Sequence, residues 1–209
     1  MQQLPAHIQK LYKRLNTPDK IQSFVNALPA NFEQKGETYM SPARTLREHK
    51  AHCMEGALLA ASILKYHGQK PLIMDLRAKK PDQDHVVTLF KAGKCWGAIS
   101  KTNHAVLRYR EPIYKTLREL ALSYFHEYFD NRTGNKNLRE YSAAFNLEKF
   151  NPIEWETTDK DLWDIVDSLD NSKHYFLISK KQEKLLRKAE PIEIKAGEIT
   201  QWSKTRRLV

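Results

Sequence analysis

Cysteine is scarce: 209 residues contain two, Cys53 and Cys95. A secreted chain of this size usually carries a larger, paired set, so no disulfide framework is expected and the chain reads as cytoplasmic. No CxxC or HxxxH pair is present; a site built from Cys53, His85 and His104 lacks the close spacing of metal ligands, so no metal is expected. No window reaches the ~18 apolar residues of a membrane span, and the opening MQQLPAHIQKLYKRL has no apolar stretch behind a basic start, so neither membrane nor leader is expected. Ser/Gly/Gln-rich tracts, internal repeats and long linkers are missing, while hydrophobic residues make up 41% and aromatics 10%, enough to fill a packed interior. Zinc-finger spacing, an RNP-like aromatic motif and a recognition-helix signature are missing too.

What is abundant is positive charge, a formal +10. Residues 180–209 hold nine Lys/Arg against four Glu, which is half of that excess, whereas elsewhere bases and acids interleave as on a solvated face. Such a tail binds polyanions weakly and without sequence preference, so weak nonspecific nucleic-acid binding is one expectation. The length suits one main domain. The reading is a core over residues 1–130, and an extension over 131–209 that packs on it and ends in the basic tail.

Along the chain, Thr17-Pro18 caps a helix in which Ile21, Phe24, Val25 and Leu28 recur at helical spacing, and Ser41-Pro42 starts a second. The run AHCMEGALLAASILKYHG, residues 51–68, is apolar around most of its circumference, so its helix is predicted to be buried and closed by Gly68. The period then changes to about 2 through PLIMDL (71–76), HVVTLF (85–90) and CWGAIS (95–100), three predicted strands. Pro112 is expected to open a long helix carrying Leu117, Leu120, Tyr124 and Tyr128. Further on, TDKDLWDIVDSL reads as a capped helix, HYFLIS as a strand, KKQEKLLRKA as a basic helix and PIEIKAGEITQW as a terminal hairpin. The class is therefore α+β.

Cys53 stands at the mouth of the buried helix. A helix N-terminus carries about half a positive charge, which lowers a thiol pKa, although free cysteine is also among the most buried residue types and packing alone explains it equally well. The strands at 85–90 and 95–100 are close enough to pair as a hairpin. With Ala92-Gly93 as the turn, Phe90 faces Cys95 and His85 faces Ser100. Cys95 then lies on the opposite face, some ~17 Å from Ser100 at ~3.4 Å per residue, so Cys53 cannot meet both His85 and Cys95.

A cysteine opening a buried Ala/Leu-rich helix, then a glycine, a strand, Asp84-His85 opening a second strand, and Trp96 with a polar residue closing a third resembles the transglutaminase-like superfamily of papain-fold cysteine enzymes. The resemblance covers residues 42–101. It implies a papain/transglutaminase-like core, Cys53 as nucleophile, His85 as its base, the Cys53 N–H as a first oxyanion donor, and no cofactor. Tyr39 and His52 are candidates for a second donor. Where the family has aspartate, this chain has Ser100, which can fix an imidazole tautomer but carries no charge. Asn103 is an alternative orienting residue, and Asp75 and Asp84 lie near in sequence.

Each of these residues also has a plain reading: Cys53 and Trp96 as core, His85 as a hydrogen-bonded edge histidine, and Ser100 as an ordinary strand residue. NHAVLRYREP (103–112) either reads an acidic substrate or anchors the next helix. The first expectation is an enzyme acting on amide bonds of a protein or peptide through a thioester, as peptidase, amidase or acyl transferase. Substrate contacts would fall to Asn103, Trp96 and His52. The second is an inactive module that binds a protein or peptide in the same cleft, and the third a basic polyanion-binding protein.

Overall fold

A computed structural model describes residues 4–203. Lys204, Arg206 and Arg207 of the basic tail lie outside the described residues. The elements run α1 (Ala6–Arg14), α2 (Pro18–Ala27), α3 (Pro42–Glu48), α4 (Cys53–Tyr66), β1 (Leu72–Ala78), β2 (His85–Ala92), β3 (Cys95–Ser100), β4 (Arg110–Tyr114) and α5 (Leu117–Phe125). They continue with β5 (Leu138–Ser142), β6 (Phe145–Asn146), α6 (Pro152–Thr157), α7 (Trp163–Asp170), β7 (His174–Phe176), α8 (Lys180–Glu183) and α9 (Pro191–Glu198).

The strands form one antiparallel sheet in the order β4-β3-β2-β1-β5-β7, with β6 also paired to β1. β5 and β7, from beyond residue 130, therefore extend the sheet that β1 to β3 begin. Strand periodicity divides the core into two layers. Met74, Leu76, Val87, Leu89 and Ala98 pack against Leu120, Ala121 and Tyr124 of α5. Alternate residues pack against the Cys53-bearing helix: Ile73 and Val86 meet Leu58 and Ala61, and Phe90 and Ile99 meet Leu59, Ala60 and Ile63. α4 is thus buried along most of its length, and Thr88 Oγ1 donates to its Ala57 carbonyl across 2.7 Å. α1, α2 and α3 surround it, together with α6 and α7. No helix among the described residues is long and apolar enough to cross a membrane.

Four sequence expectations change. The β2–β3 register is shifted by two residues, with Ala92 opposite Cys95 and Val87 opposite Ser100. The turn is Gly93-Lys94, with Gly93 at φ 58° in the first central position, where a two-residue hairpin needs positive φ and glycine supplies it without strain. Pro112 lies within β4, and α5 begins after Thr116, whose hydroxyl accepts from the Glu119 N–H while the Glu119 carboxylate accepts from the Thr116 N–H. PIEIKAGE is α9 rather than a hairpin, started by Pro191 in its first turn and by the Glu193 carboxylate, which accepts from the Glu190 N–H. The basic run is helical only over Lys180–Glu183.

Candidate active site

A cleft of about 550 Å³ opens at the end of the sheet, where the first turn of α4 meets the start of β2 and the segment after α5. Cys53, the first residue of α4, lines it and is half-buried. The helix starts here because His52 and Glu55 cap it reciprocally: the His52 Nδ1 accepts from the Met54 N–H at 3.3 Å and Glu55 Oε2 accepts from the His52 N–H at 3.0 Å. Ala51, buried just before, is fixed by its N–H to the Pro29 carbonyl and its carbonyl to the Asn31 N–H. Gly56 brings the first turn against β3, since a Cβ there would stand 2.4 Å from Lys101 Cβ. The Cys53 N–H has no acceptor among the described residues, as befits the first residue of a helix, and remains free to bind a developing oxyanion.

His85 and Ser100 meet even though they are not directly opposed. They are diagonal neighbours on one face, and His85 Nε2 lies 2.8 Å from Ser100 Oγ. The Ser100 hydroxyl has one proton, which goes to the Leu107 carbonyl at 2.5 Å. Its oxygen therefore accepts from His85 Nε2–H, leaving Nδ1 as the unprotonated nitrogen of the neutral ring. The contact is at Nε2. Ser100 is itself clamped by Gln22, whose amide accepts from the Ser100 N–H and donates to its carbonyl at 2.9 and 2.8 Å. Leu107 holds a left-handed backbone at φ 60°, fixed through its carbonyl by Ser100 and through its N–H by Glu127 Oε2 at 2.8 Å. Gln22, Leu107 and Glu127 carry no local sequence signal, because each meets the site through a contact distant in sequence.

The two imidazoles act on the thiol together. Burial pushes the Cys53 thiol up, but hydrogen bonding and charge from His52 and His85 outweigh it and hold the group well below its ordinary value. Burial lowers His52, yet the hydrogen bond and charge of Cys53, the charge of Glu55 and the Thr38 carbonyl overcome it and raise the ring to about 9. Lys101, also lining the cleft, is pulled down to about 8 by burial and by Arg108, and its ammonium donates to the Leu28 carbonyl.

The remaining sequence candidates stand elsewhere or are already engaged. Asn103 borders the cleft, but its amide is spent on the backbone of Trp202, donating to the carbonyl at 3.0 Å and accepting from the N–H at 2.8 Å. It therefore secures the C-terminal segment and does not orient His85. Trp96 lies against the α5 layer under Lys91, 4.2 Å from its ring, and does not line the cleft. Asp75 faces His174 and Arg77, and Asp84 accepts from the Ala78 N–H, so neither carboxylate takes the place of the missing aspartate. Of the two candidates for a second oxyanion donor, Tyr39 gives its backbone N–H to Asp161 and His52 gives its own to Glu55. Among the described residues no cluster of three or more His, Cys, Asp or Glu side chains is arranged to hold a metal. The site thus contains a thiol, two imidazoles and a hydroxyl-fixed tautomer, a set suited to nucleophilic attack with proton transfer. No protein-family model matches the chain, and no curated protein matches its sequence.

Proposed function

We propose that this protein is a cysteine-nucleophile enzyme that acts on an amide bond of a protein or peptide through a thioester on Cys53. The observation that carries the reading is a thiol at a helix mouth, open to a cleft and lowered by two flanking imidazoles. The resemblance of residues 42–101 to the transglutaminase-like superfamily points the same way.

In this reading Cys53 Sγ attacks the amide carbonyl, and the oxyanion forms against the unoccupied Cys53 N–H. His85, its Nε2–H held by Ser100, presents Nδ1 as the nitrogen that exchanges a proton. The proton lost by the Cys53 thiol reaches that nitrogen and is delivered to the departing amine, leaving the acyl group on sulfur; Nδ1 then takes one from the water or amine that releases it. The shared hydroxyl fixes the ring without the charge an aspartate supplies, so charge stabilisation must come from elsewhere. The test is turnover of a peptide p-nitroanilide library by the wild type, Cys53→Ala and His85→Ala. Turnover lost in both variants at unchanged melting temperature is expected. Failure of every substrate, together with alkylation of Cys53 at the pH of an ordinary thiol, would leave the packing role of the cysteine as the better account.

A further inference from the structure

The missing acid of the site is present, but on the other histidine. Glu55 is fully buried, and its carboxylate is surrounded by donors: Asn31 Nδ2 at 3.2 and 3.1 Å, Thr38 Oγ1 at 2.9 Å, the Met40 N–H at 3.3 Å and the His52 N–H at 3.0 Å. That is far more than capping requires, since one reciprocal bond completes a capping box. The same carboxylate lies 3.5 Å from His52 Nε2, and the Glu33 carboxylate lies 3.7 Å from it. His52 Nε2 donates to the Thr38 carbonyl at 2.6 Å, so this nitrogen keeps its proton and Nδ1 is the one free to gain another. By contrast, among the described residues no carboxylate pairs with His85, whose Nε2 faces only a hydroxyl.

Resting on the thioester reading above, we propose that His52 is the counter-ion of a Cys53 thiolate and that Glu55 is the positioning residue that keeps His52 charged, leaving His85 as the proton carrier. The step is internal and balanced: the S–H bond of Cys53 breaks, an N–H bond forms at His52 Nδ1, and one anion and one cation result. The Met54 N–H, until then donated to Nδ1 at 3.3 Å, is released at the helix mouth and adds to the positive end of the helix beside the thiolate. That positive end opposes a cation at the cap position, and two carboxylates within reach of the ring offset it. The titratable groups around His52 are Cys53 and Glu55 on its own helix, Glu33 and Tyr39 from the segment before α3, and His85 across the thiol. The arrangement divides two duties that one histidine with an aspartate otherwise combines. His52 and Glu55 create the nucleophile; when the thiolate is consumed by acylation, His52 Nδ1 gives up the proton it took, and His85, its ring fixed by Ser100, passes that proton to the leaving group, so that none is gained or lost.

The test is the pH dependence of iodoacetamide alkylation at Cys53, assigned by mass spectrometry in a Cys95→Ser background, for the parent, His52→Asn, Glu55→Gln and His85→Ala. Asparagine is among the best N-caps, so His52→Asn retains α4 while removing the imidazole, and it keeps the proposal testable should Glu55→Gln fail to fold. His52→Asn is expected to move the half-maximal pH up towards the ~8.5 of a free thiol, and at pH 6.5 to slow alkylation on the order of ten- to a hundredfold. Glu55→Gln is expected to move it in the same direction, and His85→Ala to move it least while abolishing peptide turnover. A parent half-point that is low and shifts with His85→Ala but not with His52→Asn overturns the division of duties and leaves the thioester reading intact. A parent half-point like that of a free thiol overturns both.

Discussion

Ser100→Ala removes a single oxygen that ties together three parts of the site. The hydroxyl is 1% exposed, donates to Leu107 at 2.5 Å and accepts from His85 at 2.8 Å. Deleting it strands a carbonyl and a ring N–H, each at about 1–3 kcal/mol when buried and unpaired. Leu107 is part-exposed and can turn its carbonyl to water, so its share lies at the low end of that range. Its left-handed backbone also stores about 1–3 kcal/mol of strain, some of which is recovered once the Ser100 tether is gone, although the Glu127 tether remains. The net expectation is a destabilisation of about 2–3 kcal/mol. For a chain of this size that is a fall in melting temperature of roughly 4–12 °C. Thermal unfolding at pH 7, followed by near-ultraviolet circular dichroism, measures it. A fall below about 2 °C would refute the argument, because it would mean that neither group depends on the hydroxyl. The variant should also lose turnover while keeping its alkylation half-point, since the tautomer of His85 is disturbed and the His52–Glu55 pair is not.

Other consequences are more local. Gly56→Ala gains about 1 kcal/mol in helix propensity, but its Cβ would stand 2.4 Å from Lys101 Cβ, a backbone-anchored atom, so overpacking of about 1–3 kcal/mol should win and the melting temperature should fall; a rise would show that β3 yields easily. His174 donates from both ring nitrogens, to Asp75 and to the Ser172 carbonyl, and the Asp75 hydrogen bond raises its pKa above the ordinary value. A raised folded value means that its contribution to stability is full below ~6.5 and is lost as pH rises through the folded value. Urea midpoints should therefore fall less between pH 6 and pH 9 in His174→Gln than in the parent; equal slopes would show that the ring is not charged. Asn103→Ala breaks two bonds to Trp202, so limited proteolysis should cut residues 197–202 faster with little change in melting temperature, and an unaltered digestion rate would show that the backbone pairing of Asn103 and Ala105 with Gln201 and Ile199 suffices.

How far the sequence discloses this site depends on the distance over which each contact acts. α4 was legible because its apolar circumference lies within one stretch and Cys53 stands at its start. The His85–Ser100 pairing survived a two-residue error in register because a shift of two preserves the face: opposed partners became diagonal ones, still within side-chain reach. A one-residue slip would have separated them completely. The long helix from Pro112 failed for a local reason: the proline φ suits an edge strand as well as a first helical turn, and the Thr116–Glu119 cap decides the matter four residues later. The orienting role given to Asn103 failed for a distant one, since Trp202 claims its amide from ninety-nine residues away. His52 and Glu55 form the instructive case. Their spacing is that of a capping box, and a capping box is what they make, so the local pattern is already explained without any chemistry. What changes its meaning is Asn31, Glu33, Thr38 and Met40, a separate segment that surrounds the carboxylate and places a carbonyl and a second acid against the ring. His52 and Glu55 therefore start a helix by their local bonds and, by their long-range ones, set an imidazole of raised pKa beside a thiol.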